Sequence, residues 1–207
     1  MTSLEECRLY GIIDLGYVER SDGAGIVQQM IEGGVDLIQI RGKDKSIEEL
    51  ADLAIELHQL TAKSSTPLIV NDHAAIASRV PVEGVHVGQD DDSIEVARQK
   101  AGRHILIGKS THSLDQACAA QREGADYIGF GPIFATPTKP DYAPIGLADI
   151  RRLHAEVSLP IFCIGGINID NVQSVIEAGA KRVVMVSALL KAHSIVDYAR
   201  CATDMLA

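Results

Sequence analysis

The stretch Glu32-Gly33-Gly34-Val35-Asp36-Leu37-Ile38-Gln39-Ile40-Arg41-Gly42-Lys43 stops a helix, starts a strand and ends that strand in polar and charged side chains. Upstream, residues 23–32 put Ile26, Val27, Met30 and Ile31 on one face at helical spacing, as in a helix packed on a core. Gly33-Gly34 closes the helix, because glycine enters the left-handed cap conformation that other residues resist. An apolar run follows at once. The same joint returns as Glu123-Gly124-Ala125-Asp126 and as Glu177-Ala178-Gly179-Ala180-Lys181. Three uses without strict repetition point to one supersecondary unit used again and again.

Outward from that stretch, eight short β-rich runs alternate with segments of helical period, the signature of βα units in a parallel sheet. The first run is Arg8 to Ile13; the last is Val183 to Val186. Ser46 and Glu49 have capping-box spacing and open the clearest amphipathic helix, with Leu50, Leu53, Ala54, Leu57 and Leu60 facing inward. Further helices are expected over 93–101, 113–123, 147–156, 169–178 and 195–206, and a weaker one over 74–79. Eight such units in about 200 residues predict an α/β fold, a single (β/α)8 TIM barrel. An open doubly wound sheet uses the same units in another strand order and is the alternative.

A chain of 207 residues and 22.2 kDa suits one domain, taken here as residues 1–207. A formal charge of -9 and a pI near 5.2 argue against nucleic-acid and anionic-membrane partners, which need a broad basic surface. Cys7, Cys118, Cys163 and Cys201 show no metal-ligand spacing and suggest reduced structural thiols in a cytoplasmic protein. No apolar run approaches the roughly 18 residues of a membrane span, and no basic segment precedes an apolar stretch near Met1, so no targeting is expected. A soluble protein with small-molecule partners is expected, with a homo-oligomer left open.

A barrel gathers the carboxyl ends of its strands at one mouth, and the polar clusters that end seven of the runs carry chemistry for anions. Gln39, Arg41 and Lys43 alternate as the second run ends, so they point to one side; a planar fork plus a point charge suits a diphosphate. Asp72 follows the third run and Asp91 the fourth. Strands about 4.8 Å apart let two such carboxylates share a cation, and oxygen-only ligation favours magnesium. Asp90 and Asp92 compete with Asp91, and a turn followed by a helix N-terminus is the plainer reading of both segments.

Gly165-Gly166, before the seventh helix, and Ser187, after the eighth run, suit a second phosphate on backbone N–H groups. The long connection from Gly131 to Tyr142 holds Thr136, Thr138 and Lys139 and is expected to cover the mouth. His86 is placed to point into the barrel and His112 to end a strand. Neither has a partner in sequence that fixes a proton-transfer role, and no nucleophile triad stands out.

Taken in order, Leu37-Ile38-Gln39-Ile40-Arg41-Gly42-Lys43, Asn71-Asp72-His73, Gly84 to Asp91, Gly108-Lys109-Ser110-Thr111-His112, Gly131 to Lys139, Ile164 to Ile167 and Val186-Ser187 resemble the thiamine-phosphate synthase family over nearly the whole chain. The resemblance implies a (β/α)8 barrel that joins a pyrimidine diphosphate to a thiazole phosphate with one magnesium ion per subunit. It assigns Gln39, Ile40, Arg41, Gly42, Lys43, Asn71, Ser110 and Lys139 to the pyrimidine diphosphate. Thr136, Pro137, Thr138, Gly166, Val186 and Ser187 go to the thiazole phosphate, and Asp72 and Asp91 to the metal. Arg41, Lys43, Ser110 and Lys139 would carry the reaction. Ile13-Asp14 stands where the family often has Thr-Asp, and Lys109 adds an unassigned charge. Three rival readings are a related thiazole tautomerase, a sugar-phosphate isomerase or epimerase, and a barrel that senses a phosphate ligand without turnover.

Overall fold

The computed structural model describes residues 3–138 and 142–207. The described residues form a closed barrel of parallel strands in sequence order: β1 (Leu9–Asp14), β2 (Leu37–Arg41), β3 (Leu68–Asn71), β4 (Gly84–Val87), β5 (Leu106–Thr111), β6 (Tyr127–Phe130), β7 (Ile161–Cys163) and β8 (Val183–Met185). Pairing of Leu9 with Val183 closes β8 onto β1, which rules out the open sheet. Outside lie α1 (Gly23–Glu32), α2 (Ile47–Ser64), α3 (Ala74–Ala77), α4 (Ile94–Ala101), α5 (Leu114–Arg122), α6 (Ile150–Glu156), α7 (Val172–Glu177), α8 (Ser187–Leu190) and α9 (Ile195–Leu206). No described helix is long and apolar enough to cross a membrane.

The recurring joint works as its sequence suggests. Gly34, Gly124 and Gly179 all sit at positive φ (+86°, +86° and +108°), where a side chain would be strained. An acidic residue beside the joint then ties one strand to the next. Asp36 Oδ2 accepts from the N–H groups of Arg8 and Leu9 (2.8 and 2.9 Å), and Asp126 Oδ2 accepts from Ile107 N–H (2.7 Å). Glu83 does the same for Leu68 (2.7 Å). Each bond sets the start of a strand against its neighbour, so the register that aligns the mouth is fixed from the opposite end.

Helix α2 has its full capping box: Glu49 N–H donates to Ser46 Oγ (3.2 Å) and Ser46 N–H to Glu49 Oε2 (2.9 Å). Other boundaries differ from expectation. Strand β1 runs one residue later, ending at Asp14, and α3 stops at Ala77. Ser93 and Ser113 cap α4 and α5 and lie just outside them. Residues 147–149 form a turn ahead of α6. Helix α7 starts at Val172 because Asn168 Oδ1 accepts from the N–H groups of Asp170 and Asn171 (2.8 and 3.2 Å), a local turn that competes with helix. Strand β8 ends at Met185, and Ser187 opens the short helix α8.

Strand alternation divides the core in two. One face of each strand packs against the helices; the other sends Tyr10, Leu37, Ile69, Tyr127, Phe162 and Val184 into the barrel interior as a separate cluster. The rings of Tyr10, Tyr127 and Phe162 meet edge to face with centroids 5.4, 5.7 and 6.2 Å apart, the arrangement aromatic pairs prefer. Their bulk needs small neighbours. A Cβ on Gly108 would lie 2.2 Å from the Tyr127 ring and 2.5 Å from His86 Nδ1. Tyr10 of this cluster reaches the floor of the site, and Tyr127 and Phe162 lie beneath it.

Candidate active site

Two adjoining cavities of about 300 and 290 Å³ occupy the mouth at the carboxyl ends of the strands. The inner one is floored by Tyr10, Gln39 and His86 and walled by residues 135–138 and 164–168. The outer one is lined by Lys43, Asp72, Asp90, Asp91 and Gln89. Arg41, Asn71, Ser110 and Thr138 border both. One mouth therefore has a mostly apolar half and a charged half with a shared wall between them.

Strand period puts Gln39 and Arg41 on the inward face, as expected, but β2 ends at Arg41. Lys43 then lies in an exposed turn and reaches only the outer cavity. Arg41 is paired: Asp14, its register partner across β1 and β2, accepts from Arg41 Nη1. Both side chains are almost enclosed, at 10% and 4% exposure. Arg41 is thus a held fork with one arm already paired to a carboxylate, and Lys43 is an exposed point charge. Sequence alone gave Asp14 no role; the register between two strands supplies it.

Asp72 has φ of +63°, a conformation that Asp tolerates better than most residues, and its N–H donates to His86 O (2.8 Å). Asp91 Oδ2 accepts from Gly88 N–H (2.7 Å), and a Cβ on Gly88 would lie 2.8 Å from that oxygen. Asp92 instead binds Lys100 (2.8 Å) and does not line the outer cavity, whereas Asp90 and Asp91 do. Lys109 is buried with its Nζ donating to Gly88 O (2.7 Å). It anchors the turn that carries Asp91.

The inner wall depends on glycine. Ile133 N–H donates to Ile164 O (2.8 Å) and Phe134 N–H to Gly165 O (2.9 Å), so the connection after β6 lies directly on the loop after β7. Gly166 sits at φ +65°, and a Cβ there would lie 2.6 Å from Ala135 O. Thr136, Pro137, Thr138, Gly166, Val186 and Ser187 all line the inner cavity. Thr138 Oγ1 meets Tyr17 Oη (3.0 Å), and Lys191 Nζ lies 4.7 Å from the centre of the Tyr17 ring. These contacts tie the covering connection to both β1 and α8.

His112 Nδ1 lies 2.5 Å from Gly131 O, so that nitrogen carries the proton. The His112 ring also contacts Tyr142 at 4.8 Å. It braces the covering connection. His86 does point into the barrel, beside Ser110. Ile40 faces the helix shell, and neither it nor Gly42 lines a cavity. Lys139 lies outside the described residues. Tyr10 and Tyr127 escaped sequence reading because an apolar strand with one tyrosine looks like ordinary core.

Burial raises the thiols of Cys7 and Cys163 to about 12, with Asp36 adding to the effect at Cys7. Neither is a nucleophile at neutral pH.

The thiamine monophosphate synthase family model matches residues 9–189. Thiamine-phosphate synthase from Chloroflexus aurantiacus is 44% identical over 194 residues, which is 93% of this chain and 89% of that one. The synthase from Halalkalibacterium halodurans is 39% identical, covering 93% and 92%. The structure of thiamine phosphate pyrophosphorylase from Pyrococcus furiosus superposes with a TM-score of 0.88 at 32% identity, covering 98% and 96%. With a divided anion-suited mouth and relatives matched along nearly its full length, the chain belongs to the thiamine-phosphate synthase family and is a transferase.

Proposed function

We propose that the protein joins 4-amino-2-methyl-5-(diphosphooxymethyl)pyrimidine to 4-methyl-5-(2-phosphoethyl)thiazole, or to its 2-carboxy form with loss of CO2, giving thiamine phosphate and diphosphate. One observation carries this reading: a charged cavity and a mostly apolar cavity share the wall formed by Arg41, Asn71, Ser110 and Thr138. The diphosphate fits the charged half, the two rings fit the other, and the thiazole phosphate fits its far end at Gly166 and Ser187. A tautomerase has no use for the charged half, and a sugar-phosphate isomerase would use only the far end.

Arg41 and Lys43, with Lys139 from the covering connection, meet the leaving diphosphate as the C–O bond breaks. The mostly apolar lining of the inner half disfavours water beside the pyrimidinylmethyl cation. The thiazole nitrogen attacks with its own lone pair, so no general base is required, in keeping with thiols held protonated. Asp72 and Asp91 would hold one Mg2+ per subunit. Among the described residues no group of three or more His, Cys, Asp or Glu could hold a metal. Two carboxylates nevertheless fit magnesium, which keeps waters and leans on substrate phosphates. Bound there, magnesium would neutralise the departing diphosphate. Residues 1–207 act as one catalytic unit in this reading.

The experiment is release of diphosphate and thiamine phosphate from purified protein given both substrates, with magnesium and with chelator. Metal-dependent product that Asp72→Ala and Asp91→Ala both lose is expected. No product from folded wild type overturns the synthase reading, and full activity in both variants overturns the metal assignment.

A further inference from the structure

Side chains from five strands form one continuous chain of hydrogen bonds across the floor of the inner cavity. Gln39 Nε2 donates to Tyr10 Oη (2.5 Å), Tyr10 Oη meets Tyr127 Oη (3.2 Å), Tyr127 Oη meets His86 Nδ1 (3.2 Å), and His86 Nε2 meets Ser110 Oγ (2.9 Å). Gln39 and Ser110, the two ends, line the cavity. Tyr127 does not; it is wholly buried beneath the floor, in space that Gly108 leaves open.

The order of donation along the chain follows from counting protons. Burial pushes both phenols well above their ordinary range, so each keeps one proton and donates once. Tyr10 Oη accepts from Gln39, and the order that leaves no proton of the chain unpaired has Tyr10 donating to Tyr127. Tyr127 in turn donates to His86 Nδ1. A neutral imidazole with Nδ1 as acceptor carries its proton on Nε2 and donates to Ser110 Oγ. A doubly protonated ring would instead donate to Tyr127 and turn the Tyr10 proton away from both of its neighbours. With Nε2 donating to it, the Ser110 hydroxyl keeps its own proton for the cavity, and Gln39, with an N–H committed to Tyr10, has Oε1 left as its acceptor.

We infer that this relay fixes the hydrogen-bond polarity of the pocket, an acceptor at Gln39 and a donor at Ser110, and that Tyr127 is the positioning residue that couples the two. The ligand it selects is a pyrimidine with an exocyclic amine to donate and a bare ring nitrogen to accept. A 4-oxo pyrimidine presents a carbonyl to Gln39 Oε1, and accommodating it requires every member of the chain to reverse together. The inference deepens the substrate reading above and rests on it for the identity of the ring.

The test has two parts, neither of which needs turnover. First, 15N-histidine NMR of the wild-type protein, with His86 assigned by its loss in His86→Asn, is expected to show the Nε2–H tautomer for His86. The Nδ1–H tautomer, or a doubly protonated ring at neutral pH, overturns the relay. Second, calorimetric titration is expected to show tighter binding of the aminopyrimidine diphosphate than of its 4-oxo counterpart by about 10- to 100-fold, the scale of leaving a buried polar group unpaired. In Tyr127→Phe the ends are uncoupled, Gln39 can turn alone, and the preference should fall at least fivefold. Tyr10→Phe breaks the same chain and serves if Tyr127→Phe does not fold. An unchanged preference in a folded variant makes Tyr127 merely structural and overturns the inference. Preferential binding without product would sink the synthase reading and leave the relay standing. Product formation with an Nδ1–H His86 sinks the relay alone, and a wild type that binds neither pyrimidine sinks both.

Discussion

The inner and outer halves of the mouth are built from different parts of the barrel. Inner groups such as Gln39, Tyr10 and His86 are strand residues, nearly enclosed and already hydrogen bonded to one another. Outer groups such as Lys43, Asp90 and Asp91 are loop residues and exposed. Arg41 belongs to the first class by position and to both by reach. A flat heterocycle is read best by donors and acceptors that cannot move. A diphosphate with its cation changes charge and geometry as it leaves, and loops can follow it. One site can therefore be rigid where it selects and adjustable where it neutralises.

Replacing one cation from each class should separate the two halves most strongly. Arg41→Ala is expected to lose about 10²- to 10³-fold in kcat, the worth of one electrostatic donor. It should also lose stability by about 3–5 kcal/mol, because Asp14 is left buried without its partner. Lys43→Ala should lose activity on a similar scale with a Tm close to wild type. Steady-state kinetics and thermal unfolding check both, and equal Tm values for the two variants would erase the distinction. Lys139→Ala is expected to lose activity on the same scale.

Alkaline pH should weaken the interior before it touches the loops. The folded pKa values of Cys7 and Cys163 are raised from 9.0 to about 12, so the unfolded chain releases protons above pH 9 that the native state keeps. Stability is complete below that pH and falls as pH rises, by up to about 1.4 kcal/mol per unit for each group. The raised phenols of Tyr10 and Tyr127 add to the decline above their ordinary value near pH 10. Thermal unfolding between pH 7 and 10.5 should show a shallower decline for Cys163→Ala; identical slopes would remove its part in the effect.

Smaller effects belong to the covering connection. Tyr17→Phe removes the hydroxyl that meets Thr138, a loss of about 1 kcal/mol at most, and should raise KM for the thiazole phosphate by less than about fivefold. An unchanged KM would show that this tie does not shape the inner half. Smallest of all, Cys201→Ser lies on an exposed helix position and should shift stability by no more than about 0.5 kcal/mol. A thiol reagent should modify Cys201 in the native protein while Cys7 and Cys163 stay protected.

Much of this was open to reading from residues in order. The glycine joints announced the βα unit, and each of the three joints has one glycine at positive φ, with Gly33 of the first pair in the right-handed region. Strand ends announced the mouth, because a polar residue after an apolar run is a local signal. What stayed hidden depends on register. The Asp14–Arg41 pair requires Asp14 to lie opposite Arg41, and the floor relay joins five strands whose members are 29 to 117 residues apart at three of its four links. Alternation suggested that Lys43 continues the inward face, whereas the strand ends first. Asn168 shortened a helix through a side-chain bond that periodicity does not register.

The most direct test of a divided mouth is a crossed kinetic comparison of Lys43→Ala and Ser187→Ala with both substrates varied. Lys43→Ala is expected to raise KM for the pyrimidine diphosphate by about tenfold, one contact of about 1.4 kcal/mol, and to leave the thiazole phosphate KM near wild type. Ser187→Ala should do the reverse. Both variants shifting the same substrate, or each shifting both equally, would contradict the claim that the two halves of the mouth hold different substrates.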